Sequence, residues 1–112
     1  MKNGAIRPMR IYKEYFNLIN SGSKTIEVRV AYSGMKKIAV GDIIRFESGH
    51  AQCNCKVTRV TQYKSFNEMM ATEDPKKINP TKSAQVQLAD IKKIFPQDKE
   101  RNGVLVFELK KC

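Results

Sequence analysis

The run Val104-Leu105-Val106-Phe107-Glu108-Leu109 constrains this chain more than any other stretch. It is rich in β-branched and aromatic residues and apolar at positions of both parities, so it reads as a central strand that must be covered on both faces. A doubly covered strand needs neighbours in a sheet and packed layers on either side of it, and the rest of the chain has to supply both.

The order of elements is legible from periodicity and punctuation. Met9-Arg10-Ile11 predicts a short first strand, and Tyr12, Tyr15, Phe16 and Ile19 follow at i, i+3, i+4 and i+7, the spacing of one apolar helix face. Asn20-Ser21-Gly22 stops that helix, because glycine accepts the left-handed conformation that closes it. From Lys24 to Val30 the residues alternate, with Ile26, Val28 and Val30 on one side of a strand and Thr25, Glu27 and Arg29 on the other. Val40-Gly41-Asp42 marks a turn before a strand from Ile43 to Glu47, which Ser48-Gly49 ends, and Cys53 to Thr61 supplies another strand centred on Val57 and Val60. Ser65-x-x-Glu68 has the form of a capping box opening a short helix that turns Phe66, Met69 and Met70 inward and ends at Glu73-Asp74-Pro75. Pro75 to Pro80 reads as loop, after which Thr81 or Ser83 caps a helix with Ala84, Leu88, Ile91 and Phe95 on one face, stopped by Pro96. The order β-α-β-β-β-α-α-β defines an α+β chain whose short strands, about five to six of them, form a curled sheet or small barrel with helices packed outside.

At 112 residues the chain is expected to be one domain, spanning 1–112, with one core. It has no apolar run of the roughly 18 residues a membrane span needs. Lys2 and Arg7 are followed by no apolar stretch that would serve as a secretory core, so a cytoplasmic location is expected; a monomer is expected separately. Three cysteines, Cys53, Cys55 and Cys112, are an odd set that fits a reducing compartment better than a disulfide framework. With His50 they would make four zinc ligands only at a spacing unlike the usual Cys-x2–4-Cys, so they read as structural thiols and His50 as a solvated turn residue. No metal and no cofactor are expected. The formal net charge is +10, and the excess is divided evenly, +5 in residues 1–48 and +5 in residues 49–112. Such a charge favours phosphates and other polyanions as partners, but without a basic tail any patch must be assembled by folding.

Between the first helix and the second strand stands Gly22-x-Lys24-x-x-Glu27-x-Arg29. This resembles the G-x-K-x-x-E-x-R signature of ASCH domains, relatives of the PUA domains, and specifically their small single-domain bacterial type; the resemblance runs from Met9 to Leu109. It implies a small PUA-like β-barrel with helices beside a cleft and Lys24, Glu27 and Arg29 at or near that cleft. The residue chemistry agrees: Lys24 offers a compact cation, Arg29 a planar fork for bidentate contacts and Glu27 an acceptor. Glu27 and Arg29 share a strand face, whereas Lys24, at the strand's first position, has no direction fixed by parity. Against this stands the plainer alternative of a solvated strand face carrying a surface ion pair worth about 0–1 kcal/mol.

Two functions of different class follow. In the first, RNA or a nucleoside or nucleotide is bound, with Gly22, Thr25, Arg29, Tyr12 and Tyr15 as the contacting set and Tyr32 as a further ring for stacking. In the second, the resemblance implies an amidohydrolase, since some small ASCH proteins deacylate N4-acetylcytidine with the motif lysine, a threonine three residues later and a distant glutamate. Here the lysine is Lys24, but Glu27 occupies the plus-three position, Thr25 is adjacent to the lysine, and the distant glutamate is Glu68, Glu73 or neither. The catalytic pair in that variant would be Lys24 and Glu27, with Glu27 activating water and Lys24 moving a proton or holding an oxyanion. RNA cleavage and protein docking are also associated with ASCH domains, but no residue here singles out either.

Overall fold

A computed structural model describes residues 4–112; Lys2, read above as part of an N-terminus lacking a secretory core, lies outside the described residues. Among the described residues five strands form one sheet in the order β1-β3-β4-β5-β2. They are β1 (Ile6–Arg10), β2 (Ile26–Val30), β3 (Ile43–Ser48), β4 (Ala51–Tyr63) and β5 (Val104–Lys111). Only β1 and β3 run parallel; the other neighbours are antiparallel. The sheet curls into a half-barrel with α1 (Lys13–Asn20), α3 (Phe66–Thr72) and α5 (Ala84–Ile94) packed outside it, and with single helical turns at α2 (Ser33–Lys36), α4 (Pro75–Ile78) and α6 (Gln97–Glu100).

The apolar run at the C-terminal end is the doubly covered strand that its composition demands. Leu105, Phe107 and Leu109 of β5 join Phe16 and Ile19 of α1 with Ile44, Phe46 and Val57 in one core cluster. Val104 and Val106, of opposite parity, join Ile26, Val28 and Val30 of β2 with Phe66, Met69 and Met70 of α3 in the other. Phe46, Phe66 and Phe107 are completely buried, each stabilising the fold by about 1.5–3 kcal/mol relative to exposure.

Several boundaries differ from expectation for identifiable reasons. β1 begins at Ile6 instead of Met9, since its pairing with β3 starts at Ile6 opposite Ile43, and Pro8 is tolerated because β1 lies at the sheet edge. β2 begins at Ile26, because the amides of Lys24 and Thr25 go to Leu18 O (3.0 Å) and Lys77 O (2.9 Å), outside the sheet. The loop expected from Pro75 to Pro80 contains the turn α4, with Pro75 at its start and the Asp74 side chain accepting from Lys76 N at 3.0 Å. At α3, Ser65 accepts from Glu68 N as a capping residue should, and Glu100, from far along the chain, takes the Phe66 amide at 2.8 Å. Gly22, at φ +84°, closes α1 through its amide to Ile19 O.

Candidate functional site

β2 is the last strand of the sheet, and along its free edge opens a cleft of about 400 Å³. Its walls come from the end of β1 and start of α1 (Arg10, Tyr12, Tyr15), from β2 and the residue before it (Lys24, Glu27, Arg29), from the segment after α4 (Asn79, Lys82) and from α5 (Gln87, Asp90, Ile94).

Lys24, whose direction parity left open, turns inward and is 5% exposed. Its Nζ donates to Ile26 O at 2.7 Å and Ile78 O at 3.0 Å and lies 3.2 Å from Glu27 Oε1. Three acceptors around three N–H bonds are the full complement of an ammonium. Burial nevertheless lowers its pKa from the ordinary lysine value, against the opposing pull of Glu27. Glu27, 6% exposed, is no surface group. Its second oxygen accepts from Arg29 Nε at 2.7 Å, and Arg29 reaches on to donate to Arg10 O at 2.9 Å. Burial works against the Glu27 charge, but Arg29 and Lys24 together outweigh it and hold the carboxyl below its usual range. The alternative of a solvated ion pair is therefore set aside. Lys24, Glu27 and Arg29 form a clamp that ties β2 to the end of α4 on one side and to β1 on the other.

Outside this clamp the cleft is largely apolar, with Ile11, Val28, Ile78, Ile91 and Ile94 beside the aromatic rings, and Arg10 and Lys82 as its further cations. Tyr12 and Tyr15 have ring centroids 6.2 Å apart, and Tyr12 is 65% exposed at the rim. Two cations stand near the Tyr15 ring, with Lys24 Nζ at 6.0 Å and Lys82 Nζ at 5.9 Å from its centroid. Lys82 is held by Asp90 at 2.8 Å, which raises the lysine pKa and lowers that of the carboxyl. Gln87 is 4% exposed; its Nε2 gathers the carbonyls of Pro75, Asn79 and Lys82, each at 2.9 Å, while its Oε1 has no partner among the described residues. Asn79 directs its Oδ1 to Thr81 N and Oγ1.

Of the residues singled out in the sequence, Lys24, Glu27, Arg29, Tyr12 and Tyr15 meet at this cleft. Gly22 and Thr25 do not line it. Gly22 is spent on the left-handed stop of α1, and Thr25 uses its backbone, donating to Lys77 O and accepting from Leu109 N. Tyr32 stands at the start of α2, also away from the cleft. Neither distant glutamate reaches it. Glu68 is exposed, and Glu73 is gripped by Arg59 through both oxygens, at 2.7 and 2.9 Å, and by the Tyr63 hydroxyl. Sequence reasoning missed Arg10, Asn79, Lys82, Gln87 and Asp90. One signal was available: Gln87 lies three residues after Ala84 and four before Ile91, a polar residue on the apolar face of its helix. Among the described residues no set of three His, Cys, Asp or Glu side chains is arranged to hold a metal ion; Cys53 and Cys55 are buried and Cys112 is exposed.

A curled mixed half-barrel with helices outside is the architecture of PUA-like proteins, and it is shared with an ASCH protein of Zymomonas mobilis studied as a point mutant. That structure is 17% identical, has a TM-score of 0.66, and matches over 98% of this chain and 70% of the other. The model of the ASCH domain matches residues 9–112, and the chain belongs to the ASCH domain family, which is generally linked to RNA binding. Other similar structures are the crystal structure of the hypothetical protein PH0355 (30% identity, TM-score 0.86, 96% of this chain and 99% of that one) and the solution structure of protein PF0455 from Pyrococcus furiosus (28% identity, TM-score 0.76, 95% and 96%). Comparison with curated proteins gives no match.

Proposed function

We propose that the cleft binds RNA through a single unpaired nucleotide, or a free nucleoside or nucleotide, with the base against Tyr15 and Tyr12 and the phosphate toward Arg10 and Lys82. The observation that carries this reading is the Tyr15 ring, with two cations within 6.0 Å of its centroid, in an otherwise largely apolar cleft of a size suited to one base and sugar. Gln87 lines the cleft with its Oε1 buried and unpartnered among the described residues, an acceptor that a side-chain rotation would offer to an N–H on a base edge. In this reading Lys24 and Glu27 position the wall, while Arg29, 20% exposed and clamped through only part of its guanidinium, has donors left for a ligand. Replacement of Tyr15 by Leu keeps the apolar bulk and removes the ring, so affinity for a labelled oligoribonucleotide should fall roughly 5- to 150-fold, the worth of about 1–3 kcal/mol of stacking. An unchanged affinity by fluorescence anisotropy would remove Tyr15 from the site.

Deacylation of an N4-acylated cytidine, with Lys24 and Glu27 as the catalytic pair, is the second reading, and the burial of that pair beside the cleft is what favours it. Its demands on Glu27 fit the geometry less well, because a general base needs a free oxygen and a pKa near the working pH. Both Glu27 oxygens are engaged by cations and its pKa is lowered. Release of cytidine from N4-acetylcytidine by wild type, lost in Glu27→Gln, is the result that would restore this reading.

A further inference from the structure

Around Phe95, the residue that ends α5, a second and shallower groove of about 600 Å³ begins. It is lined by Lys64, Asn67, Lys92, Gln97, Glu100 and Arg101, and Phe95 lines both this groove and the cleft. Lys64, Lys92 and Arg101 are exposed, and none of them forms an ion pair among the described residues. The one acid lining the groove, Glu100, accepts from the Phe66 amide at 2.8 Å through one oxygen and offsets only one of the three cations, so the groove keeps an excess of positive charge.

Local stability does not account for all of these cations. Lys92 stands in the last turn of α5 and Arg101 at the end of α6, where positive charge balances helix carbonyls. Lys64 has no such role: it precedes Ser65, the capping residue at the start of α3, where a cation works against the helix dipole. What unites the three is the groove.

We infer that this groove is a phosphate track that continues the cleft, so that the ligand is a single-stranded RNA segment longer than one nucleotide, its base in the cleft and its neighbouring phosphates crossing Phe95 to Lys64, Lys92 and Arg101. The inference rests on the nucleotide-binding reading of the cleft and extends it from a monomer to a strand. Single-stranded RNA suits the two grooves together: one is apolar with aromatic rings in its wall and of a size for one base and sugar, the other is open and cationic, and strand binders combine these two features.

The test combines Lys64→Glu, Lys92→Glu and Arg101→Glu in the full chain, all at exposed positions, with a melting curve to confirm that the fold is kept. Two probes are titrated into wild type and variant: cytidine 5′-monophosphate, followed by amide shifts in an NMR spectrum, and a labelled ten-residue oligoribonucleotide, followed by anisotropy at several salt concentrations. The expected result is a loss of at least tenfold in oligoribonucleotide affinity, with the slope of log K against log salt shallower by about 2, from about 0.7 per phosphate contact. Affinity for the mononucleotide should stay within twofold. An unchanged oligoribonucleotide affinity overturns the track while leaving the cleft reading standing. Equal weakening of both probes overturns it as a separate site. Equally tight binding of inorganic polyphosphate, lost in the same variant, makes the groove a general polyanion surface and overturns the RNA assignment. Failure of wild type to bind either probe removes the cleft reading and this inference with it.

Discussion

Replacing Glu27 by Gln keeps the shape of the side chain and removes the charge on which the clamp depends. Lys24, 5% exposed, would keep its two carbonyl acceptors but face the Arg29 charge with no anion between them. Removing one partner of a buried ion pair typically costs about 3–5 kcal/mol. Two features place this case near the lower end: the Lys24 ammonium retains Ile26 O and Ile78 O, and Arg29 is 20% exposed, which lets water screen part of its charge. A loss of about 3 kcal/mol, out of a total of about 5–15 for a domain, corresponds to a fall in Tm of roughly 10–15 °C at this chain length. Adding Lys24→Met removes the cation left without a counter-charge, so the double variant should be less destabilised than the sum of the singles, with a coupling of about 1–3 kcal/mol. Urea titration followed by circular dichroism at pH 7 measures all four corners of the cycle. Strict additivity, or a Glu27→Gln cost below about 0.5 kcal/mol, would refute the clamp.

Acid titration gives an independent check on the same carboxylate. Because the folded pKa of Glu27 is lowered, the unfolded chain binds more protons in the window below the ordinary glutamate value of about 4.3, so this contribution is complete above that value and is lost as pH falls through the folded one. The stability gap between wild type and Glu27→Gln should therefore narrow only below about pH 4.3, and a gap constant from pH 7 to 2.5 would count against it. For the thiols, burial pushes Cys55 up to about 12, so a thiol-reactive dye should label exposed Cys112 promptly and reach Cys53 and Cys55 only on unfolding. Rapid labelling of all three in native buffer would contradict the buried placement.

What was legible in the sequence was whatever depends on local periodicity. Val104–Leu109 had to be covered on both faces, and β5 divides its side chains between two core clusters as that run demands. The alternation from Ile26 to Val30 correctly sent Ile26, Val28 and Val30 to one side and paired Glu27 with Arg29 on the other. Lys24 was not legible, because one of the acceptors that complete its inward-facing site is a carbonyl 54 residues away in the sequence, at Ile78. Glu73 escaped for a similar reason: only the folded sheet brings Arg59 and Tyr63 to it and keeps it from the cleft. Lys82 reads as part of a helix start until α5 is laid beside β2, and Gln87 was marked only by its place on the apolar face of that helix.

A nucleotide bound in the cleft at the free edge of β2 would perturb the residues that line it. The most direct measurement is an NMR titration of the wild-type protein with a short oligoribonucleotide, following backbone amides and the Asn79 and Gln87 side-chain amides. Shifts concentrated at Tyr12, Tyr15, Arg29, Asn79, Lys82 and Gln87 are the predicted outcome; shifts confined to β3 and the far end of β4, or none at millimolar ligand, would contradict it.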